Sequence, residues 1–175
     1  MKSVNLWKKY HKFQKRPGWC GPAVIQMVLA KCQRRIPQAD IARDVYKNWW
    51  GTSQQMILAY LTRFFKLVNY KVDATFSDIT HHLEKGNLII INWWDDFDEN
   101  DPGGHYSVVV DYDSKLRALV LADPSNERPG IWTVSEDEFR SKWFDSLDVH
   151  DKMWIKGWML WVDPKSKIKK GKWFS

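Results

Sequence analysis

Apolar residues along this chain recur first at helical spacing and later in short dense runs, and the change marks out its elements. Behind Pro22, a residue suited to a first helical turn, the apolar positions Val24, Met27, Val28 and Leu29 predict a helix over 20–33 with one face in the core. Further helices are expected over 38–47, 53–66, 76–85 and 136–144. Thr52 with Gln55 and Ser135 with Glu138 fit capping boxes, and Gly86 fits a helix stop. Beyond residue 86, runs rich in Val, Ile or Trp predict strands over 88–94, 105–112, 116–122, 130–134 and 154–162. Most helices precede the strands and no βαβ alternation appears, so the class is α+β, an N-terminal helical part packed on a C-terminal antiparallel sheet.

At 175 residues the chain is long enough to bury a sizeable core without staples, and no proline- or serine-rich linker divides it. One domain is expected over residues 1–163, with a basic tail over 164–175. The net charge is +6, yet it is unevenly placed. Residues 1–16 hold six Lys or Arg and no acid, and residues 164–175 hold five Lys and no acid. The remaining sixteen basic residues face twenty-one acidic ones, so the body is about −5 and a nucleic-acid partner is not expected. The N-terminus lacks the apolar stretch of a signal peptide and no run approaches membrane-spanning length, which makes a cytoplasmic location the expectation. Cys20 and Cys32, on one predicted helix, would lie about 18 Å apart and cannot bridge. A reducing compartment suits them.

Candidate chemistry gathers at four separated positions. Cys20 stands where the first of these helices begins, followed by Gly21-Pro22-Ala23. A thiol attacks as thiolate, and with a free pKa of ~8.5 it needs an anion-stabilising site such as a helix N-terminus. His105 opens the valine-rich run after Pro102-Gly103-Gly104, and Asp123 closes the next run, eighteen residues later. Out along one strand and back along its neighbour, Asp123 returns to the level of His105, where a carboxylate orients an imidazole and stabilises its cation. Gln14, six residues before the cysteine across a loop with Pro17 and Gly18, is within reach to add an oxyanion donor beside the Cys20 N–H. The four read as nucleophile, base, orienting acid and oxyanion donor.

The set Gln14, Cys20-Gly21-Pro22-Ala23, Gly104-His105-Tyr106 and Asp123-Pro124 resembles the C39 peptidases and their stand-alone C39-like relatives, papain-like cysteine peptidases best known as leader-cleaving domains of bacteriocin transporters. The resemblance spans roughly residues 10–163. It implies a papain-like fold, the four catalytic roles just given, a peptide or protein substrate, and neither cofactor nor metal. In one respect the chain departs: transporter-fused members usually carry an acidic residue before the nucleophile, where this chain has Trp19.

The function expected is hydrolysis of a peptide bond through a thioester acyl-enzyme. Two alternatives stand beside it: acyl transfer or amide hydrolysis on the same fold, and a peptide-binding domain that no longer cleaves, against which the intact Cys20 argues. Trp19 and Trp94 are candidates to line a substrate groove, most of the twelve tryptophans being core. The acidic segment 94–101 is expected as a solvated loop at the cleft rim, with attraction of a basic substrate as its alternative reading. It lacks the glycine and terminal glutamate of an EF-hand loop. Cys32, His11, His81, His82 and His150 have packing or surface contexts, and the sequence carries no signal of oligomeric state.

Overall fold

The structure is a computed structural model that describes residues 2–97, 103–147 and 153–168. Its helices are α1 (Lys2–Lys8), α2 (Cys20–Lys31), α3 (Gln38–Val45), α4 (Gln54–Thr62), α5 (Phe76–Glu84) and α6 (Glu136–Lys142). Its strands are β1 (Val68–Lys71), β2 (Leu88–Asp95), β3 (Gly103–Asp113), β4 (Ala118–Ala122), β5 (Ile131–Ser135), β6 (Phe144–Ser146), β7 (Trp154–Lys156) and β8 (Met159–Val162). Six strands form one antiparallel sheet in the order β1-β8-β2-β3-β4-β5, and β6 pairs with β7 in a separate ribbon.

Each face of the large sheet carries its own apolar layer. Leu88, Ile90, Tyr106, Val108 and Leu160 point to the layer built with α2, α3 and α4, whereas Ile89, Ile91, Trp93, Val109 and Met159 point to the layer closed by α5 and α6. That is why β2 reads as an unbroken apolar run: a strand covered on both faces has no polar side to alternate with. Helix α2 lies at the centre of the first layer. Ala23 and Ile25 are as buried as Val24, Met27, Val28 and Leu29, so the helix is enclosed on more than the single face its spacing implied.

Three local features depart from expectation, each for a physical reason. The expected 154–162 strand is broken at Gly157, whose φ of +59° belongs to the left-handed region and turns the chain from β7 into β8. Helix α4 is capped by Ser53, whose hydroxyl accepts from the Met56 N–H at 3.3 Å, so Thr52 lies one residue before the cap, its carbonyl accepting from the Tyr106 hydroxyl at 2.9 Å. Helix α1, β1 and β6 had too few apolar repeats to be predicted. Of the expected Ser135–Glu138 box, the Ser135 cap on the Glu138 N–H is present; the stop after α5 at Gly86, φ +75°, stands as expected, and Thr75 with Asp78 forms a full capping box that was not foreseen.

Residues 164–168 lie against the body: Lys66 N–H donates to the Ser166 carbonyl at 2.9 Å and the Arg34 guanidinium to the Ile168 carbonyl at 2.6 Å. The rest of the basic tail, 169–175, lies outside the described residues, as do His150 and positions 98–101 of the acidic segment. Among the described residues no helix is long and apolar enough to cross a membrane.

Candidate active site

Cys20 is the first residue of α2, so its side chain sits at the positive end of a twelve-residue helix. It is 8% exposed and forms no disulfide. His105 lies near the start of β3, on the same strand face as Ser107, and its ring packs edge-on against Trp93 at 5.5 Å between centroids. Its backbone is pinned from behind by a buried amide relay. Gln54, the first residue of α4, donates to Asn92 on β2 at 2.7 Å, and Asn92 donates to the His105 carbonyl at 3.1 Å.

Asp123 lies one residue past Ala122, the last paired position of β4, which is opposite Val108. Its carboxylate is fully buried and its bonds are divided between its oxygens. Oδ1 meets His105 Nε2 at 3.0 Å and the Ser125 N–H at 2.9 Å, while Oδ2 accepts the Ser107 hydroxyl at 2.9 Å. Trp93 Nε1 in turn donates to Ser107 Oγ at 3.1 Å. With Nε2 committed to Asp123, Nδ1 is the nitrogen left for the Cys20 side chain, a hydrogen-bonding neighbour of the ring.

These contacts set the charge state. Burial pushes the His105 imidazole down, but the Asp123 carboxylate and the Cys20 side chain overcome it and carry the ring up to about 10. Burial likewise opposes ionisation of Asp123, and its bonds to His105 and Ser125, with the nearby Arg128, bring it down to about 2. The imidazole and the carboxylate therefore hold each other in their charged forms. Cys32, at the other end of the same helix, is raised by burial, as a packing thiol should be.

The loop carrying Gln14 is tied to the loop carrying Asp123 in three places. Gln14 N–H donates to the Pro124 carbonyl at 2.7 Å, Asn126 donates to the Gln14 carbonyl at 3.0 Å, and His11 Nε2 donates to the Asp123 carbonyl at 2.7 Å. Gln14 lines a cavity of about 420 Å³ together with Cys20 and His105. Among the described residues its side-chain amide has no hydrogen-bond partner. A second cavity, of about 450 Å³, opens on the other side of Cys20, and Trp94 lines it. Trp19 turns away, its ring edge-on to Tyr46 at 6.2 Å and covered by Arg16 at 5.1 Å.

Sequence reasoning missed Ser107, Asn92, His11 and Arg128. Arg128 is nearly buried; its guanidinium forks onto Asp95 with bonds of 2.6 and 2.5 Å and lies over the Trp93 and Trp132 rings at 5.2 and 5.3 Å. Burial opposes the Asp95 charge, and Arg128 holds it below the usual carboxylate range. Asp96 pairs with Lys142 at 2.5 Å. The first two acids of the rim segment thus make internal ion pairs. Of these missed residues, Ser107 had one usable signal, a hydroxyl inside a valine run.

The family model described as "Peptidase_C39 like family" matches residues 3–146. No curated protein sequence matches the chain. Among solved structures, the chain is similar to the peptidase domain of Streptococcus ComA, a bifunctional ABC transporter involved in a quorum-sensing pathway. The TM-score is 0.64 at 16% identity, over 87% of this chain and 96% of that one. A C39-like peptidase from Bacillus anthracis gives 0.60 at 14% identity, over 92% and 95%. A double-glycine-motif protease from an AMS/PCAT transporter, in complex with its leader peptide, gives 0.54 at 16% identity, over 86% and 88%. At such identities the likeness is one of fold, the helix and antiparallel-sheet arrangement expected from the sequence.

Proposed function

This chain belongs to the Peptidase C39-like family, and from that premise we propose that it hydrolyses a peptide bond through a thioester acyl-enzyme. One observation carries the reading: a cysteine at a helix N-terminus neighbours an imidazole whose far nitrogen is held by a buried carboxylate at 3.0 Å.

The Cys20 thiolate attacks the carbonyl carbon, forming a C–S bond and moving the π electrons onto oxygen. The Cys20 backbone N–H and the Gln14 amide hold that oxyanion. The imidazolium of His105 gives its proton to the amine, the C–N bond breaks, and the amine leaves a thioester. Water then attacks the thioester, His105 takes its proton, and the sulfur departs as thiolate. Asp123 keeps the ring in the orientation that faces Nδ1 toward sulfur and stabilises its cation. A peptide-binding domain that does not cleave would have no use for this arrangement.

The test is cleavage of fluorogenic peptide amides and iodoacetamide labelling across pH, comparing the parent chain with Cys20→Ala and His105→Ala. Cleavage is expected to vanish in both. Labelling of the parent at the rate of a free model thiol near neutral pH would remove the proposal's support.

A further inference from the structure

The two ends of helix α2 have different surroundings. Cys20 opens it within the cleft, whereas Lys31 closes it about 17 Å away, at a rise of 1.5 Å per residue, on a face crowded with cations. Lys9, Lys12, Arg34 and Arg35 line one groove there with Tyr10 and Ile36. Lys31 joins them, its ammonium over the Tyr10 ring at 5.0 Å and the Trp7 ring at 5.7 Å. Arg34 brings in the C-terminal segment through its 2.6 Å bond to the carbonyl of Ile168, the residue after Lys167. Burial raises the Cys32 thiol at this helix end, and the cations that pull against it are Lys167 and Lys31, so Lys167 belongs to the same face. Of these side chains Lys9, Lys12, Arg35 and Lys167 are exposed. Among the described residues none of the six cations pairs with a carboxylate. The segregation extends along the chain. Residues 1–39 hold nine Lys or Arg and no acid, and residues 164–175 hold five Lys and no acid, which leaves thirteen basic residues to face all twenty-one acids. Like charges gathered on one face repel one another, a cost that an anionic partner relieves.

We propose that this face docks the protein on an anionic lipid surface and leaves the Cys20 end of α2 uncovered. The inference stands apart from the peptidase reading, since it uses none of the catalytic residues. A plane of lipid phosphates and carboxylates attracts a cluster of basic residues without needing exact placement of any one of them. Three observations favour lipid over nucleic acid. The aromatic rings of this face are already covered, Tyr10 by Lys9 at 4.9 Å and by Lys31, and Trp7 by burial, so no open ring is left for a base to stack on. Four of the six cations are lysines, hydrated point charges that lack the planar fork with which arginine grips a single phosphate. Apolar side chains stand among the charges: Ile36 in the groove and Ile168, 36% exposed, beside it. The sequence that follows, Lys169-Lys170-Gly171-Lys172-Trp173-Phe174, adds three lysines and two aromatic residues of the kind that settle at a bilayer interface.

The test is flotation of the full chain with vesicles of phosphatidylcholine alone, or of phosphatidylcholine carrying about 30% phosphatidylserine, at about 0.1 M and about 0.5 M NaCl. Binding to the anionic vesicles is expected to be at least about tenfold tighter than to the neutral ones at the lower salt, and to be lost at the higher. Lys12→Gln with Arg35→Gln removes two exposed cations of the face and should weaken binding by about fivefold for each and about twenty-five-fold for the pair. Lys85→Gln with Lys115→Gln lowers the net charge equally, from exposed positions after α5 and between β3 and β4, and should leave binding within about twofold of the parent. Equal binding to neutral and anionic vesicles, binding to neither, or equal weakening by the two pairs of substitutions overturns the inference. Tighter binding to a single-stranded or duplex oligonucleotide than to the anionic vesicles at the same salt overturns it too, and would make the partner a nucleic acid.

Discussion

The hydroxyl of Ser107 donates to Oδ2 of Asp123 at 2.9 Å, two residues along β3 from the imidazole that binds the other carboxylate oxygen. Because Trp93 Nε1 donates to the same hydroxyl, Ser107 is the link between the apolar layer under β2 and the carboxylate. Ser107→Ala removes both bonds at a site with no solvent exposure. The loss expected is about 1–3 kcal/mol in urea unfolding, since two buried polar groups lose a partner. Being a positioning residue, Ser107 should also reveal itself in kcat/KM, lowered about threefold to tenfold, with the alkaline limb of the pH profile moved down as Asp123 loosens its hold on His105. An unchanged pH profile would leave Ser107 with packing alone.

The charge state of the pair sets the pH dependence. His105 is raised from 6.5 to about 10, against the effect of burial, by Asp123 and Cys20. The imidazolium therefore persists well above neutrality, and on the proposed mechanism kcat/KM is expected to fall only as pH approaches about 10. Asp123→Asn should pull that limb down toward 6.5 and reduce turnover by up to about a hundredfold, while iodoacetamide still labels Cys20. Stability follows the same signs. The raised His105 contributes fully below 6.5 and loses its contribution as pH climbs through about 10. The lowered Asp123 contributes fully above 3.8 and loses its share as pH falls through about 2. The gap in urea midpoint between parent and Asp123→Asn should be widest between 3.8 and 6.5 and narrow on either side. A gap that widens toward alkaline pH would reverse the assigned directions.

The parts of this site carried by local rules were legible in the sequence. A cysteine before Gly-Pro at a helix start, a histidine opening a valine run and an aspartate closing the next are each tied to the end of an element, and element ends follow from spacing. Ser107 and Arg128 were not legible, because their roles depend on what lies across the sheet: the one opposite Asp123, the other beside Asp95, thirty-three residues away in sequence. His11 was read as packing, yet it grips the Asp123 carbonyl at 2.7 Å through a loop of no fixed pattern. Trp19 was chosen for its neighbour in sequence, and its ring packs edge-on against Tyr46, a contact that the sequence did not suggest. The split of the last strand at Gly157 depended on one backbone angle that composition does not encode.

Arg128 and Asp95 form a nearly enclosed ion pair, with side-chain exposures of 6% and 18%. Arg128→Ala leaves Asp95 half-buried without its partner and uncovers the Trp93 and Trp132 rings. A destabilisation of about 3–5 kcal/mol is expected, as for other broken buried pairs. Arg128→Met, which keeps the stem over the rings, should cost less than Arg128→Ala. Equal urea midpoints for the two variants would show that ring packing contributes nothing measurable.

Gly21 lies where α2 meets the loop before α4, and a Cβ built there falls 2.5–2.8 Å from the Thr52 side chain. No side chain fits that gap unless the helix start and the loop move apart, an overpacking that costs about 1–3 kcal/mol. The displacement would act directly on Cys20, the preceding residue, and on Tyr106, whose hydroxyl holds the Thr52 carbonyl at 2.9 Å. Gly21→Ala is therefore expected to lower both the unfolding midpoint and the rate of thiol labelling near neutral pH. Thr52→Ser, which removes the methyl group that the new Cβ would meet at 2.7 Å, should recover part of both in the double variant. Additive losses in stability and labelling would mean that the two side chains do not meet as described.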